Sequence, residues 1–317
     1  MGNYLTSAPK PQPEPALLTN PWRKTEGAWD DKYLRKIIKE LKEFLVDETE
    51  QKKAEKEEEK VTQAKCLLLG PVAAGKSTFI NSVISICNNR YSNVAYTAGE
   101  TSGAVTTEFK YFGGNNDLGR KLSLCDVTGL FGSPNTGFNV DNIVHLIMGN
   151  VIYGYQFNPI NAISEGSRFF RPKPTLQDKV HCAVFVIGAN KLSDLNDSYI
   201  DKIRSLQTAL KRNAVPRILL LTKCDLLCEE VEADVKNLFK SNKVKKAVEE
   251  AAAIFAIPKS NIHPIVNYGE REVYLNAETS IPILLAVRQM MHFANDFIQN
   301  EAVKKSQQRE LVRAINP

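Results

Sequence analysis

The chain has 317 residues, 43% of them hydrophobic, and carries 41 lysines and arginines against 36 acids for a formal net charge of +5. That length can bury one large core or two modest ones, while so mild and interleaved a charge argues against a nucleic-acid partner. No apolar run approaches the roughly 20 residues of a membrane-crossing helix, and the N-terminus has no signal-peptide core, so a soluble, intracellular, cytoplasmic protein is expected.

Residues 1–29 are expected as a flexible proline-rich arm, since Lys10-Pro11-Gln12-Pro13-Glu14-Pro15 is too dense in proline to fold alone. Its first residues, Met1-Gly2-Asn3-Tyr4-Leu5-Thr6, fit the N-myristoylation pattern with Gly2 as acceptor, which would give weak membrane contact. Residues 30–61 follow as an amphipathic and then charged helical segment. Tyr33, Leu34, Ile37, Ile38, Leu41, Phe44 and Leu45 recur at helical spacing, so their face docks on the chain's own domain, a partner helix or a membrane. Asp47 to Lys60 has no large apolar residue and reads as a solvated helix extension or linker.

Residues 62–300 are read as one nucleotide-binding domain. Its apolar run Cys66-Leu67-Leu68-Leu69 leads into Gly70-Pro71-Val72-Ala73-Ala74-Gly75-Lys76-Ser77, which fits the phosphate-loop pattern G-x-x-x-x-G-K-[S/T], and a helix-compatible run follows. Backbone N–H groups from Gly70 through Ala74, Gly75 and Thr78 would then converge on a polyphosphate at a helix N-terminus. Lys76 would place a point charge on the β and γ phosphates, and the Ser77 hydroxyl would ligate Mg²⁺. For the loop closing on the γ-phosphate, Thr106 is the chosen metal-binding and catalytic residue, with Thr101 and Thr107 as alternatives.

Leu122 to Cys125 is a strand ending in Asp126-Val127-Thr128-Gly129, a D-x-x-G that puts Asp126 in the Mg²⁺ shell and the Gly129 N–H at the γ-phosphate. The segment 131–179 is longer than a minimal domain needs here. Its aromatics and prolines, Phe169-Phe170-Arg171-Pro172 among them, suit either a packed insertion or an exposed effector or self-association surface. Arg217 to Leu221 is a buried strand followed by Thr222-Lys223-Cys224-Asp225. In this T-K-x-D the Asp225 carboxylate would accept from guanine N1–H and N2–H₂ together, and Lys223 would lie along the base. A competitor, Asn190-Lys191-Leu192-Ser193-Asp194, sets its aspartate one residue late. Val231 to Phe239 is expected as a helix, and after a last strand at Ile262 to Val266 the Asn267 backbone would cap the base. Ser280 to Ile298 closes the domain as an amphipathic helix, and 301–317 is expected as a basic tail.

Strands and helices alternating after a phosphate loop predict an α/β fold: a three-layer P-loop domain, its mostly parallel sheet covered by helices on both faces. The motif order, with Pro21-Trp22-Arg23 upstream and Gly154-Tyr155-Gln156-Phe157-Asn158-Pro159 in the middle, resembles the interferon-induced protein 44-like family of vertebrates from about Pro21 to Ile298. The resemblance implies a cytoplasmic guanine-nucleotide-binding protein of innate antiviral defence, with GTP or GDP and Mg²⁺ as ligands. Two departures bear on catalysis. Val72 stands where many GTPases carry Gly, and Leu130 where many carry a water-orienting Gln. Two functions therefore compete: slow GTP hydrolysis with Thr106 and Asp126 holding the metal, or a non-hydrolysing guanine-nucleotide switch acting through an unidentified protein effector. An ATPase or nucleotide kinase would require Asp225 to be a coincidence.

Overall fold

The computed structural model describes residues 14–44, 46, 61–95, 109–112, 118–127, 139–157, 161–269 and 274–315. Six strands, β1 (Ala64–Leu69), β2 (Phe109–Phe112), β3 (Leu122–Val127), β4 (Cys182–Gly188), β5 (Arg217–Thr222) and β6 (Ile262–Pro264), form one sheet in the order β2-β3-β1-β4-β5-β6. Only β2 runs antiparallel to its neighbour. Every residue of β3 and β4 is buried, as expected of strands covered on both faces; β4 accordingly reads as an unbroken apolar run, while β3 also buries Ser123 and Asp126.

The two faces feed separate cores. Leu67, Leu69, Phe185 and Ile187 pack with α3 (Val140–Ile147), α4 (Asp197–Arg212) and α7 (Asn242–Phe255). Leu68, Val184 and Val186 face the other way, toward α1 (Asp31–Glu43), α2 (Lys76–Asn88) and α8 (Ala277–Ile315). Two short helices, α5 (Cys224–Leu227) and α6 (Glu229–Ala233), follow β5. The predicted three-layer α/β architecture is the one observed.

Local chemistry sets the helix starts. Asp30, Asn139, Asn196 and Ser241 each accept from a backbone N–H two or three residues into the helix that follows. The apolar face of α1 buries Tyr33, Ile37 and Leu41 in the core shared with α8, so it is covered by the chain itself. No described helix is long and apolar enough to cross a membrane.

Three expectations differ from the structure. The flexible arm expected over 1–29 does not reach through residues 14–29: Leu18 N donates to Lys240 O at 2.8 Å, and the Trp22 and Trp29 rings lie 5.5 and 5.1 Å from Phe239. Packing of two half-buried aromatics against the core outweighs the local proline content. The helix expected over Val231 to Phe239 is broken at Asp234, whose backbone is extended and whose side chain caps Lys236 N at 2.9 Å, starting a 3₁₀ turn at Val235–Asn237.

The basic tail expected from 301 is instead a continuation of α8 to Ile315, because Glu, Ala, Lys, Gln and Arg propagate a helix without an apolar stripe. Glu301 on it accepts from Lys179 at 2.9 Å. Of the two readings of 131–179, the described part fits the packed insertion. Val151 pairs with Phe170, Phe157 and Ile163 are buried, and Phe169 and Phe170 are half-buried against the core, leaving Tyr153 exposed. Gly2, 47–60, 131–138 and 158–160 lie outside the described residues.

Candidate functional site

The loop between β1 and α2 leaves the sheet at Gly70, where the backbone passes so close to β4 that a Cβ would sit 2.1 Å from the Val186 carbonyl oxygen. It then turns through Ala73 at φ +62° and Gly75 at φ +93° before entering α2, whose first bond runs from Phe79 N to Gly75 O at 2.9 Å. The left-handed residues orient the loop amides ahead of a 13-residue helix, an arrangement suited to an anion.

Lys76, in the first turn of α2, is 6% exposed. Its ammonium donates to Gly70 O at 2.8 Å and Pro71 O at 3.0 Å, two of the three N–H donors it has. Burial lowers its pKa, and the charge of Asp126 works against that shift. The neighbouring Ser77 Oγ donates to Asp126 Oδ2 at 3.4 Å. A hydroxyl and a carboxylate facing each other beside a phosphate loop are hard oxygen donors, so they fit Mg²⁺, which takes one or two protein oxygens together with phosphate. Thr78, one residue further, accepts from Ser82 Oγ through its carbonyl at 2.8 Å.

The base-side motif reaches the same place from β5. Thr222 Oγ1 donates to Ala74 O at 2.6 Å, and a Cβ on Gly75 would lie 3.3 Å from that hydroxyl. Lys223 takes the left-handed conformation at φ +57°, which turns the chain into α5 and puts Asp225 in its first turn. Lys223 and Asn190 flank Gly188, where a Cβ would stand 3.4 Å from Lys223 Cδ and 2.9 Å from Asn190 Oδ1. The competing Asp194 is exposed and paired with Lys191 at 2.8 Å.

Asn267 arrives from β6. Its side chain reaches the phosphate loop: Nδ2 donates to Gly75 O at 3.4 Å, while the buried Oδ1 has no hydrogen-bond partner among the described residues. The structure thus gathers Gly70, Ala74, Gly75, Lys76, Ser77, Thr78, Asp126, Thr222, Lys223 and Asn267 at the carboxyl ends of the parallel strands. Thr101, Thr106, Thr107, Gly129 and Leu130 lie outside the described residues.

Two residues that the motifs do not include also shape the site. Asn81 on α2 is 6% exposed; its amide donates to Asn93 Oδ1 at 2.7 Å and Ala95 O at 2.9 Å and accepts from Val94 N and Ala95 N. It fixes the chain at 93–95, just before the segment that carries Thr106. Ser82 Oγ accepts from Tyr268 N at 3.0 Å, tying α2 to the residue after Asn267. The available signal was a pair of polar residues set between the apolar Phe79-Ile80 and Val83 of α2.

A family model described as "50S ribosome-binding GTPase" matches residues 65–223, half of the chain. The chain belongs to that GTPase family. It is also similar to human interferon-induced protein 44-like, 29% identical over 260 residues covering 81% of this chain and 57% of that protein. Human interferon-induced protein 44 is 30% identical over 242 residues, covering 76% of this chain and 54% of its own length. The family resemblance read from the motifs is therefore borne out. The chain spans a little over half the length of these relatives. Among solved structures, Toc33 from Arabidopsis thaliana in complex with GDP and Mg²⁺ is similar over 86% of this chain and 95% of its own, at 15% identity and a TM-score of 0.42.

Proposed function

We propose that this GTPase-family chain binds GTP and GDP with Mg²⁺, selects guanine through Asp225, and hydrolyses GTP slowly. The observation that carries the reading is Lys76: a buried ammonium with two donors spent on loop carbonyls and one left to donate, at the start of a long helix behind a left-handed loop. Phosphate supplies the missing acceptor and the countercharge. Bound Mg²⁺ would neutralise charge on the β and γ phosphates, with Ser77 and Asp126 as its protein oxygens and Thr106 as the third candidate. Gly129 would donate its N–H to the γ-phosphate. Residues 62–300 would act as the nucleotide unit.

A second reading is a non-hydrolysing switch or scaffold, favoured by the exposed Val72 in the phosphate loop and by Leu130 in the sequence. In either reading the protein would work in the cytoplasm through an unidentified effector or a second copy of itself. Myristoylation of Gly2 would add weak membrane contact. The names of the relatives support a place in an interferon-induced response, within which this proposal sets antiviral defence.

The test is a titration panel with GTP, GDP, ATP and XTP on the purified chain with and without Mg²⁺. GTP and GDP should bind well ahead of ATP and XTP. Equal binding of ATP removes the base assignment, and no binding of any nucleotide removes the phosphate-loop assignment.

A further inference from the structure

Residues 14–30 lie outside the family match, yet they form a strap across the two loops that border the base side of the site. At one end Leu17 pairs with Ser241, and backbone bonds join Leu18 N to Lys240 O at 2.8 Å, Asn242 N to Ala16 O at 3.0 Å and Trp22 N to Phe239 O at 2.9 Å. The Arg23 guanidinium lies over the Trp22 and Phe239 rings, 5.1 and 5.6 Å from their centroids. From there it donates to Ile262 O at 2.6 Å and Lys259 O at 2.5 Å, capping the start of β6, the last strand of the sheet. At the other end Glu26 pairs with Arg288 of α8 at 3.0 Å.

What the strap grips is continuous with the base-side residues. The 239–241 turn closes the excursion that begins at Asp225: Cys228 N donates to Asp225 O at 3.3 Å, and Cys228 Sγ meets Ser241 Oγ at 3.0 Å. Asn237 Nδ2 spans the same excursion to Glu230 O at 3.0 Å. Ile262 opens the strand that delivers Asn267 to Gly75. One side chain, Arg23, therefore bridges the end of the Asp225 excursion to the strand that carries Asn267. Burial lowers its pKa to about 10, so it stays charged at neutral pH and both acceptors receive charge-assisted bonds.

We propose that Trp22 and Arg23 are positioning residues for base selection, holding the loop of Asp225 and the loop of Asn267 in fixed relation from outside the nucleotide-binding motifs. The proposal rests on the guanine-nucleotide reading above. Loosening the brace lets the carboxylate move relative to the base, while the phosphate loop keeps its anchors on β1 and Thr222 and loses only the long 3.4 Å contact from Asn267. Discrimination should suffer more than phosphate binding. Substitutions that touch no ligand can shift such coupling by a factor of about two to thirty.

The experiment uses the full chain with Arg23→Gln, Arg23→Lys and Trp22→Phe, and with Phe44→Ala as a control at the ring contact with His292, one turn of α8 beyond Arg288. It reads the GTP-to-XTP affinity ratio, the GDP release rate, the thermal midpoint, and amide hydrogen exchange at 224–228 without nucleotide. Arg23→Gln should lower the ratio and speed release about three- to tenfold and raise exchange at 224–228. Arg23→Lys should recover only part of this, because an ammonium cannot span both carbonyls in the planar geometry of the fork. Phe44→Ala should change the midpoint alone. If Arg23→Gln lowers the midpoint but leaves ratio, release and exchange at wild-type values, the strap is mere packing and the proposal falls. Should Arg23→Gln not fold, Arg23→Lys and Trp22→Phe are judged by the same readouts. If the wild type shows no guanine preference, the base reading fails, and exchange at 224–228 alone decides the brace.

Discussion

Thr222 Oγ1 donates to the Ala74 carbonyl at 2.6 Å across 148 residues of sequence, fastening the end of β5 to the phosphate loop. A hydroxyl has one proton to give, so the Ile187 carbonyl at 3.2 Å is the lesser partner. Thr222→Val keeps the shape and removes the donor, leaving a buried carbonyl unsatisfied at a cost of about 1–3 kcal/mol. Urea unfolding should show that loss, and binding of GTP and XTP should fall together, since the phosphate side is affected. A change in base preference alone would mean that Thr222 reads the base instead.

Lys76 separates binding from stability. Its folded-state pKa is lowered by burial, so without nucleotide the charged form is disfavoured in the fold. That cost is present at neutral pH and disappears as pH rises toward the ordinary value of 10.5, so the nucleotide-free chain should become more stable on the alkaline side. Lys76→Met should keep nucleotide-free stability within about 1 kcal/mol of wild type and flatten this rise. It should also cost about 2–5 kcal/mol of triphosphate binding. Unchanged GTP affinity would remove Lys76 from the site.

The two aspartates can be told apart by exchange of substrate. Asp225 sits in the first turn of α5, directly after the left-handed Lys223, whereas Asp194 is tied at the surface to Lys191. Asp225→Asn should weaken GTP by up to about 10⁴-fold and improve XTP, because the remaining amide mismatches the guanine edge. Asp194→Asn should alter stability by less than about 1 kcal/mol, as for an exposed ion pair, and leave selectivity alone. The exchange appearing at Asp194 would reverse the assignment.

Acid should loosen the sheet through His181. Its Nδ1 accepts from Lys65 N at 3.0 Å while Nε2 bonds Leu176 O at 3.0 Å, so the ring is needed neutral. Burial lowers its pKa from 6.5 to about 4. A histidine whose folded value is depressed supports the fold fully above 6.5 and withdraws that support as pH falls toward 4, at about 1.4 kcal/mol per pH unit. His263 is lowered to about 4 as well and adds a similar slope. Unfolding free energies of wild type and His181→Gln between pH 7.5 and 4.5 check this; the variant should start lower and fall less steeply. Parallel curves would exclude His181 as a source.

The phosphate loop, β1, β3 and β5 were legible in sequence because their signals are local: two glycines at fixed spacing, and apolar runs that end at polar residues of known reach. The strap was not, because Trp22 and Arg23 acquire meaning only against Phe239, Lys259 and Ile262, more than 200 residues away. Asp234 broke an expected helix by capping Lys236 N, a competition between side chain and backbone that an apolar period does not register. The end of α8 was missed for the opposite reason, since its last turns are held by helix propensity with no apolar stripe to mark them.

Turnover is the remaining property to which the site speaks. In GTPases the barrier falls mainly through positioning of water and stabilisation of charge, and an added arginine is worth about 10³–10⁵ in rate. Leu130, by its chemistry, has neither donor nor acceptor for water. Val72 is 43% exposed in the phosphate loop and occupies space where a glycine would leave room for an incoming arginine. Intrinsic hydrolysis should therefore be slow, with help supplied from outside the chain. If a second copy pairing across the nucleotide face supplies it, phosphate released per molecule will rise with protein concentration in GTP and Mg²⁺. Val72→Gly should steepen that rise by opening the approach. Fast turnover independent of concentration would mean that the single chain is complete as a catalyst, and no release at any concentration would favour the non-hydrolysing switch.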